Sequence, residues 1–165
     1  MRWVRFAVFI LIVTMLQADL VNIIAVTRFD IKPDLLLILL VFFAIYCNPS
    51  EAIITSFAIG FAADIIGSTM GPQTISFGLL GTLLANLHRV IAIRKMSYQS
   101  LVIFITGFLA GFLAHFLTFL KGQSTPPNVY AVVFGTSLYS GLVGPFLFLP
   151  SAWLMRIKTH RFGIH

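Results

Sequence analysis

Apolar runs long enough to cross a bilayer recur from Trp3 to Met155, separated only by short polar or charged breaks. A span takes roughly 20 mostly apolar residues, so a chain of 165 holds about six such helices and almost nothing else. The whole of 1–165 therefore reads as a single, all-α transmembrane domain. Hydrophobic residues make up 59% and charged residues 10%, which excludes an ordinary soluble domain. The net charge of +6 does not point to nucleic acid, because the basic residues sit in short clusters between apolar runs, as topology signals do. Cys47 is the single cysteine, which excludes an internal disulfide and a Cys-rich metal site. No CxxC, HExxH, GxGxxG or P-loop spacing occurs, and no cofactor is implied.

The stretch Ala58 to Asn86 organises the rest. Asp64 lies in an apolar run, and three residues later Gly67-Ser-Thr-Met-Gly71-Pro72 turns the chain back on itself. Two membrane helices joined by a short hairpin follow, with a carboxylate one turn before the turn. A carboxylate in lipid is costly, which makes Asp64 a functional-site hypothesis. It also fits a structural role, capping or salt-bridging the hairpin at headgroup level.

Taken in order, Arg2 and Arg5 precede an apolar run that resembles a signal peptide. The run continues through Val26 without a small-x-small cleavage site, so Trp3 to Val26 reads as a retained first helix. Asp19 lies in its last third near Gln17 and Asn22, and a polar end facing the protein interior is expected. Arg28-Phe-Asp30-Ile-Lys32-Pro33-Asp34 is a compact charged loop. Pro33 suits the first turn of the next helix and Asp34 the positive end of its dipole. Helix two, Leu35 to Tyr46, is short for a span; either its neighbours shield it or the bilayer adapts. Asn48-Pro49 ends it, and Ser50 can cap helix three, about Glu51 to Ile66. Ala58, Gly60 and Ala62 give that helix a close-packing face. Helix four follows Pro72, and helix five runs from about Tyr98 to Leu120 with Gly107, Ala110, Gly111 and Ala114 as a second such face. His115 on helix five reads more readily as a hydrogen-bonded packing residue than as a proton carrier. Helix six, Val129 to Met155, contains Gly141, Gly144, Pro145 and Pro150, and a kink is expected.

With six spans, Arg2, Arg5, Arg89, Arg94, Lys95, Arg156, Lys158 and Arg161 fall on one side and Arg28, Lys32 and Lys121 on the other. The positive-inside rule then places both termini in the cytoplasm. Asp19, the Arg28–Asp34 loop, Asp64, the hairpin and His115 gather towards the outer face. Opposite charges in a water-free site must pair, so Asp64 is expected to pair with Arg28 or Lys32, or to accept a bond from His115.

No Ser/His/Asp set and no paired carboxylates stand at a recognisable spacing, so no catalytic residue is assigned and the chain is expected not to be an enzyme. A transporter would show an interrupted helix or an inverted repeat with charges near the midplane. The pattern favours a protein that binds other proteins within the bilayer.

Two segments resemble the MreD family of rod-shape-determining membrane proteins: Lys32-Pro33-Asp34-Leu-Leu-Leu-Ile-Leu-Leu and Gly60-Phe-Ala-Ala-Asp64-Ile-Ile-Gly67-Ser-x-x-Gly71. Length, apolar spans and basic termini extend the resemblance over the whole chain. It implies a non-enzymatic inner-membrane component of the bacterial cell-wall elongation machinery, acting with single-span MreC, near the MreB filament, RodA and its partner transpeptidase. It also implies a fold similar to the substrate-binding subunits of energy-coupling-factor vitamin transporters. Pro33 and Asp34 match the family's helix-two start, and Gly60, Asp64, Gly67 and Gly71 its hairpin. Gly107 and Gly111 offer a groove for a partner's span, and basic cytoplasmic loops can meet anionic lipid headgroups. The alternative is a vitamin-binding subunit itself, with Asp19, Asp64 and His115 as ligands. Such subunits carry an Ala-x-x-x-Ala face on the first helix; here Ala7, Ala18 and Ala25 do not fit, and Ala58 and Ala62 lie on helix three.

Overall fold

A computed structural model describes residues 3–23, 33–67, 70–87, 96–122 and 128–155. Among them the chain forms six helices: α1 (Trp3–Ile23), α2 (Leu35–Tyr46), α3 (Pro49–Ile66), α4 (Pro72–Leu87), α5 (Met96–Leu120) and α6 (Val129–Met155). Stretches of α3, α5 and α6 are long and apolar enough to cross a membrane, and α2 is a shorter apolar helix. The molecule is a helical membrane protein.

Helix α2 has its expected start but a different cap, and α3 starts two residues earlier than expected. The Asp34 carboxylate accepts the N–H of Leu37, so Asp34 is the N-cap and Pro33 stands just outside α2 rather than in its first turn. Helix α3 begins with Pro49 at its first position after Asn48, so Ser50 lies inside the helix and does not cap it.

Helix α2 is the core. Every residue from Leu36 to Ile45 is buried, and α2 touches each of the other five helices. Its twelve residues rise about 18 Å, too short to cross the hydrocarbon alone, and enclosure by longer neighbours is a stable solution. The short length is accommodated by shielding. Phe42 and Phe43 pack the C-terminal half of α2: Phe43 lies edge-on against Phe6 of α1, with centroids 5.0 Å apart, and Phe42 against Phe148 of α6 at 5.5 Å.

Around α2, helices approach through missing side chains. A Cβ on Gly60 would lie 2.7 Å from the Cα of Thr74, so α3 and α4 meet nearly backbone to backbone. Helix α6 continues through Pro145. Proline has no N–H to offer the carbonyl four residues back, that of Gly141. The Ser100 hydroxyl on α5 donates to that carbonyl at 2.5 Å, so the freed acceptor is satisfied by a neighbour, as lipid requires.

Candidate functional site

The α3–α4 hairpin is built around one carboxylate. Helix α4 opens with Pro72, leaving the N–H groups of Gln73 and Thr74 without intrahelical acceptors. Asp64, 2% exposed on the last turns of α3, reaches across to them. Its Oδ1 accepts the Gln73 N–H at 3.0 Å, and its Oδ2 accepts the Thr74 N–H at 2.8 Å and the Thr74 hydroxyl at 2.5 Å. A side chain on one helix thus caps the next, and its negative charge meets the positive end of the α4 dipole.

The glycines serve this closure. Gly60, one turn before Asp64, lets Gln73 and Thr74 come within reach; a Cβ there would also lie 2.9 Å from the Gln73 carbonyl oxygen. Gly67 ends α3, its N–H bonded to the Ala63 carbonyl. Gly71 has φ +110°, a backbone region L side chains rarely adopt. Lys121, just past α5, donates from Nζ to the Met70 carbonyl at 2.5 Å and ties α5 to the hairpin. Beside the brace lies a shallow, mainly apolar groove of about 290 Å³ lined by Phe61, Asp64, Ile65, Met70, Gly71, Thr74 and Ile75.

The expected ion pairing of Asp64 is corrected in part. His115 is not among its partners; it is half-buried on α5 with no hydrogen-bond partner among the described residues. Arg28 and Lys32 lie outside the described residues. Among the described residues, three donors presented by one helix end engage both carboxylate oxygens.

A second polar knot holds the start of α2. Besides the Asp34 cap, the Asp34 N–H donates to Ser140 Oγ on α6 at 2.8 Å, and the Leu35 N–H donates to Gln17 Oε1 on α1 at 2.9 Å. Ser140 is eleven residues into α6, about 16 Å along its axis, so α2 starts well below the ends of its neighbours. At that depth orphan N–H groups need partners, and α1, α6 and the Asp34 cap supply them.

The groove expected at Gly107 and Gly111 is filled by the chain itself. A Cβ on Gly107 would lie 2.6 Å from Leu37 Cδ2 of α2 and 3.1 Å from Ser137 Oγ of α6, and one on Gly111 would lie 2.6 Å from Val133 Cγ1 of α6. Asp19 departs from expectation in the other direction. Gln17 faces the bundle, whereas Asp19, two residues or about 200° further round α1, is exposed. Asp19, Asp64 and His115 therefore do not converge on one polar pocket. Among the described residues no three His, Cys, Asp or Glu side chains gather.

Gln17, Thr74 and Ser140 carry much of this arrangement and were not singled out as a set from the sequence. Thr74, two residues after a helix-opening proline and ten after Asp64, was the readable signal. Ser140 has none, because serine in a membrane helix more often bonds its own backbone. At the opposite end, buried Gln99 donates from Nε2 to the Tyr46 hydroxyl at 3.1 Å.

The model of the family described as rod shape-determining protein MreD matches residues 1–158. Neither the curated proteins nor the solved structures searched gave a match.

Proposed function

The chain belongs to the MreD family, whose members are shape-determining membrane components, and from that premise we propose that it serves as a non-enzymatic scaffold of the machinery that elongates the bacterial cell wall. It binds single-span MreC within the inner membrane and helps place peptidoglycan synthesis, alongside RodA, its transpeptidase and the MreB filament. The family match over nearly the full chain carries this reading. The geometry supports it: the polar groups at the hairpin and at the start of α2 are engaged in holding helices together, which suits a rigid docking body. The chain crosses the membrane six times with the short α2 shielded by the other helices, its fold is akin to that of vitamin-transporter binding subunits, and both termini are cytoplasmic, from the eight-to-three distribution of Lys and Arg. A reporter fused after His165 remains inside the cell; an exported reporter reverses the topology.

The test is replacement of the native gene in its rod-shaped host. Depletion of the chain should round the cells, and the full-length protein supplied in trans should restore rods. Unchanged shape on depletion contradicts the proposal. The vitamin-binding alternative is not favoured, since its three ligand candidates are scattered as described above.

A further inference from the structure

Two of the stretches long and apolar enough to cross a membrane end at the same place. Those in α3 and α5 finish at Ile66 and Leu120. The next residue after Leu120, Lys121, donates from Nζ to the Met70 carbonyl in the α3–α4 turn. That bond sets the turn level with the ends of both stretches, where hydrocarbon gives way to headgroups. The shallow groove beside the Asp64 brace starts here. Met70 and Gly71 form its rim, Ile65 and Ile75 continue it along the two helices, and Phe61 lies five residues, or about 8 Å, down the axis from Ile66. Phe61, Ile65, Met70 and Ile75 are all exposed. Asp64 belongs to the floor, but it is 2% exposed and both its oxygens are engaged. The charge at the rim is that of Lys121, whose Nζ lies 3.1 Å from the place a Cβ on Gly71 would take. The Met70 carbonyl accepts one of the ammonium's three N–H groups and has no charge to set against it.

We propose that this groove binds one anionic membrane lipid, with its phosphate on Lys121 and part of one acyl chain along Phe61, Ile65 and Ile75. The occupant follows from charge and from order. A cation at the end of the spans, with an apolar slot running from it towards the hydrocarbon, matches the two parts of such a lipid in the sequence a bilayer holds them. Size decides against a protein. An α-helix with its side chains is about 10 Å across, and a stable protein interface takes roughly 20–30 residues a side. Here seven residues of one hairpin line about 290 Å³. The phosphate also adds a charged contact at the point where α5 is tied to the hairpin. The site holds or fails independently of MreC binding.

The test places the purified full-length chain in nanodiscs of phosphatidylcholine with a minor fraction of phosphatidylglycerol that carries a diazirine near the carboxyl end of one acyl chain. After illumination the labelled residues are mapped and the labelled protein is weighed intact. The expected result is one lipid per chain, concentrated on Phe61, Ile65, Met70 and Ile75. Lys121→Gln should lower this label about fivefold, the effect of one basic residue at an anionic surface, and Lys121→Arg should keep it. Ile75→Trp, which fills the groove and leaves Lys121 in place, should lower the label as well. Leu83→Trp, exposed two turns further along α4, should not. The same diazirine on phosphatidylcholine should label the groove less. Label spread evenly over the exposed faces of all helices overturns the site, as does label unchanged by either Lys121→Gln or Ile75→Trp. Should Lys121→Gln lower the folded fraction, the two lipid probes on the wild-type chain decide: preference for phosphatidylglycerol at the groove upholds the site, and equal labelling overturns it. Chain dimers that exclude the label assign the groove to a second copy and overturn it too.

Discussion

Asp64 shows how a carboxylate in an apolar run is held by the donors of a neighbouring helix end. A carboxylate offers acceptors only, and the Gln73 and Thr74 N–H groups it meets can only donate, with the Thr74 hydroxyl donating beside them. Asparagine is not a substitute, because its amide group would turn two N–H donors towards a backbone N–H. Asp64→Asn should therefore lower stability by about 1–3 kcal/mol, and Asp64→Ala by about 3 kcal/mol or more, read as reduced folded fraction in detergent unfolding. An Asn variant as stable as the wild type would remove the brace from the account. Part of this was legible beforehand: a carboxylate one turn before a Gly-rich, Pro-ended turn reads as a hairpin cap. Its donors were not, because which residues of α4 lie opposite depends on the path of the turn. Asp19 was harder still. Apolar residues occupy both the packed and the lipid-facing sides of α1, so periodicity does not tell which way a single polar residue points.

At the scale of elements, helix limits were readable where punctuation is strong. Pro33-Asp34, Asn48-Pro49 and Pro72 mark helix starts, and α2 and α6 have the bounds the sequence predicts. That α2 is shielded by its neighbours was one of two readings its short, wholly apolar run left open. What each glycine meets was not readable, because a small-residue face looks the same whether it receives a neighbour of its own chain or a partner. The structure ranks these positions. At Gly60 an added methyl meets the backbone of α4, which cannot step aside. At Gly111 it meets Val133, whose branched side chain is stiff about χ1. At Gly107 it meets the far end of Leu37, which can swing. Alanine at the three sites should thus destabilise in the order Gly60, Gly111, Gly107, with Gly60→Ala costing about 1–3 kcal/mol and Gly107→Ala less. Folded fractions of the three variants check the order. A Gly107→Ala variant that folds normally yet loses partner binding would show that this face is an external interface after all.

At the scale of the whole molecule, five helices surround a buried sixth, with polar knots joining α1, α2 and α6 at one place and α3, α4 and α5 at another. Such cross-linking yields a body whose outer faces are set by its interior, and that is what a scaffold for another protein's span requires. The central claim is that this body works by holding MreC in the elongation machinery. The most direct measurement is the stoichiometry of MreC recovered with the full-length chain from native membranes in mild detergent. The account predicts MreC in roughly equal amount, with or without RodA. Recovery of an ATPase module with its coupling protein, or of a tightly held vitamin in place of MreC, would contradict it.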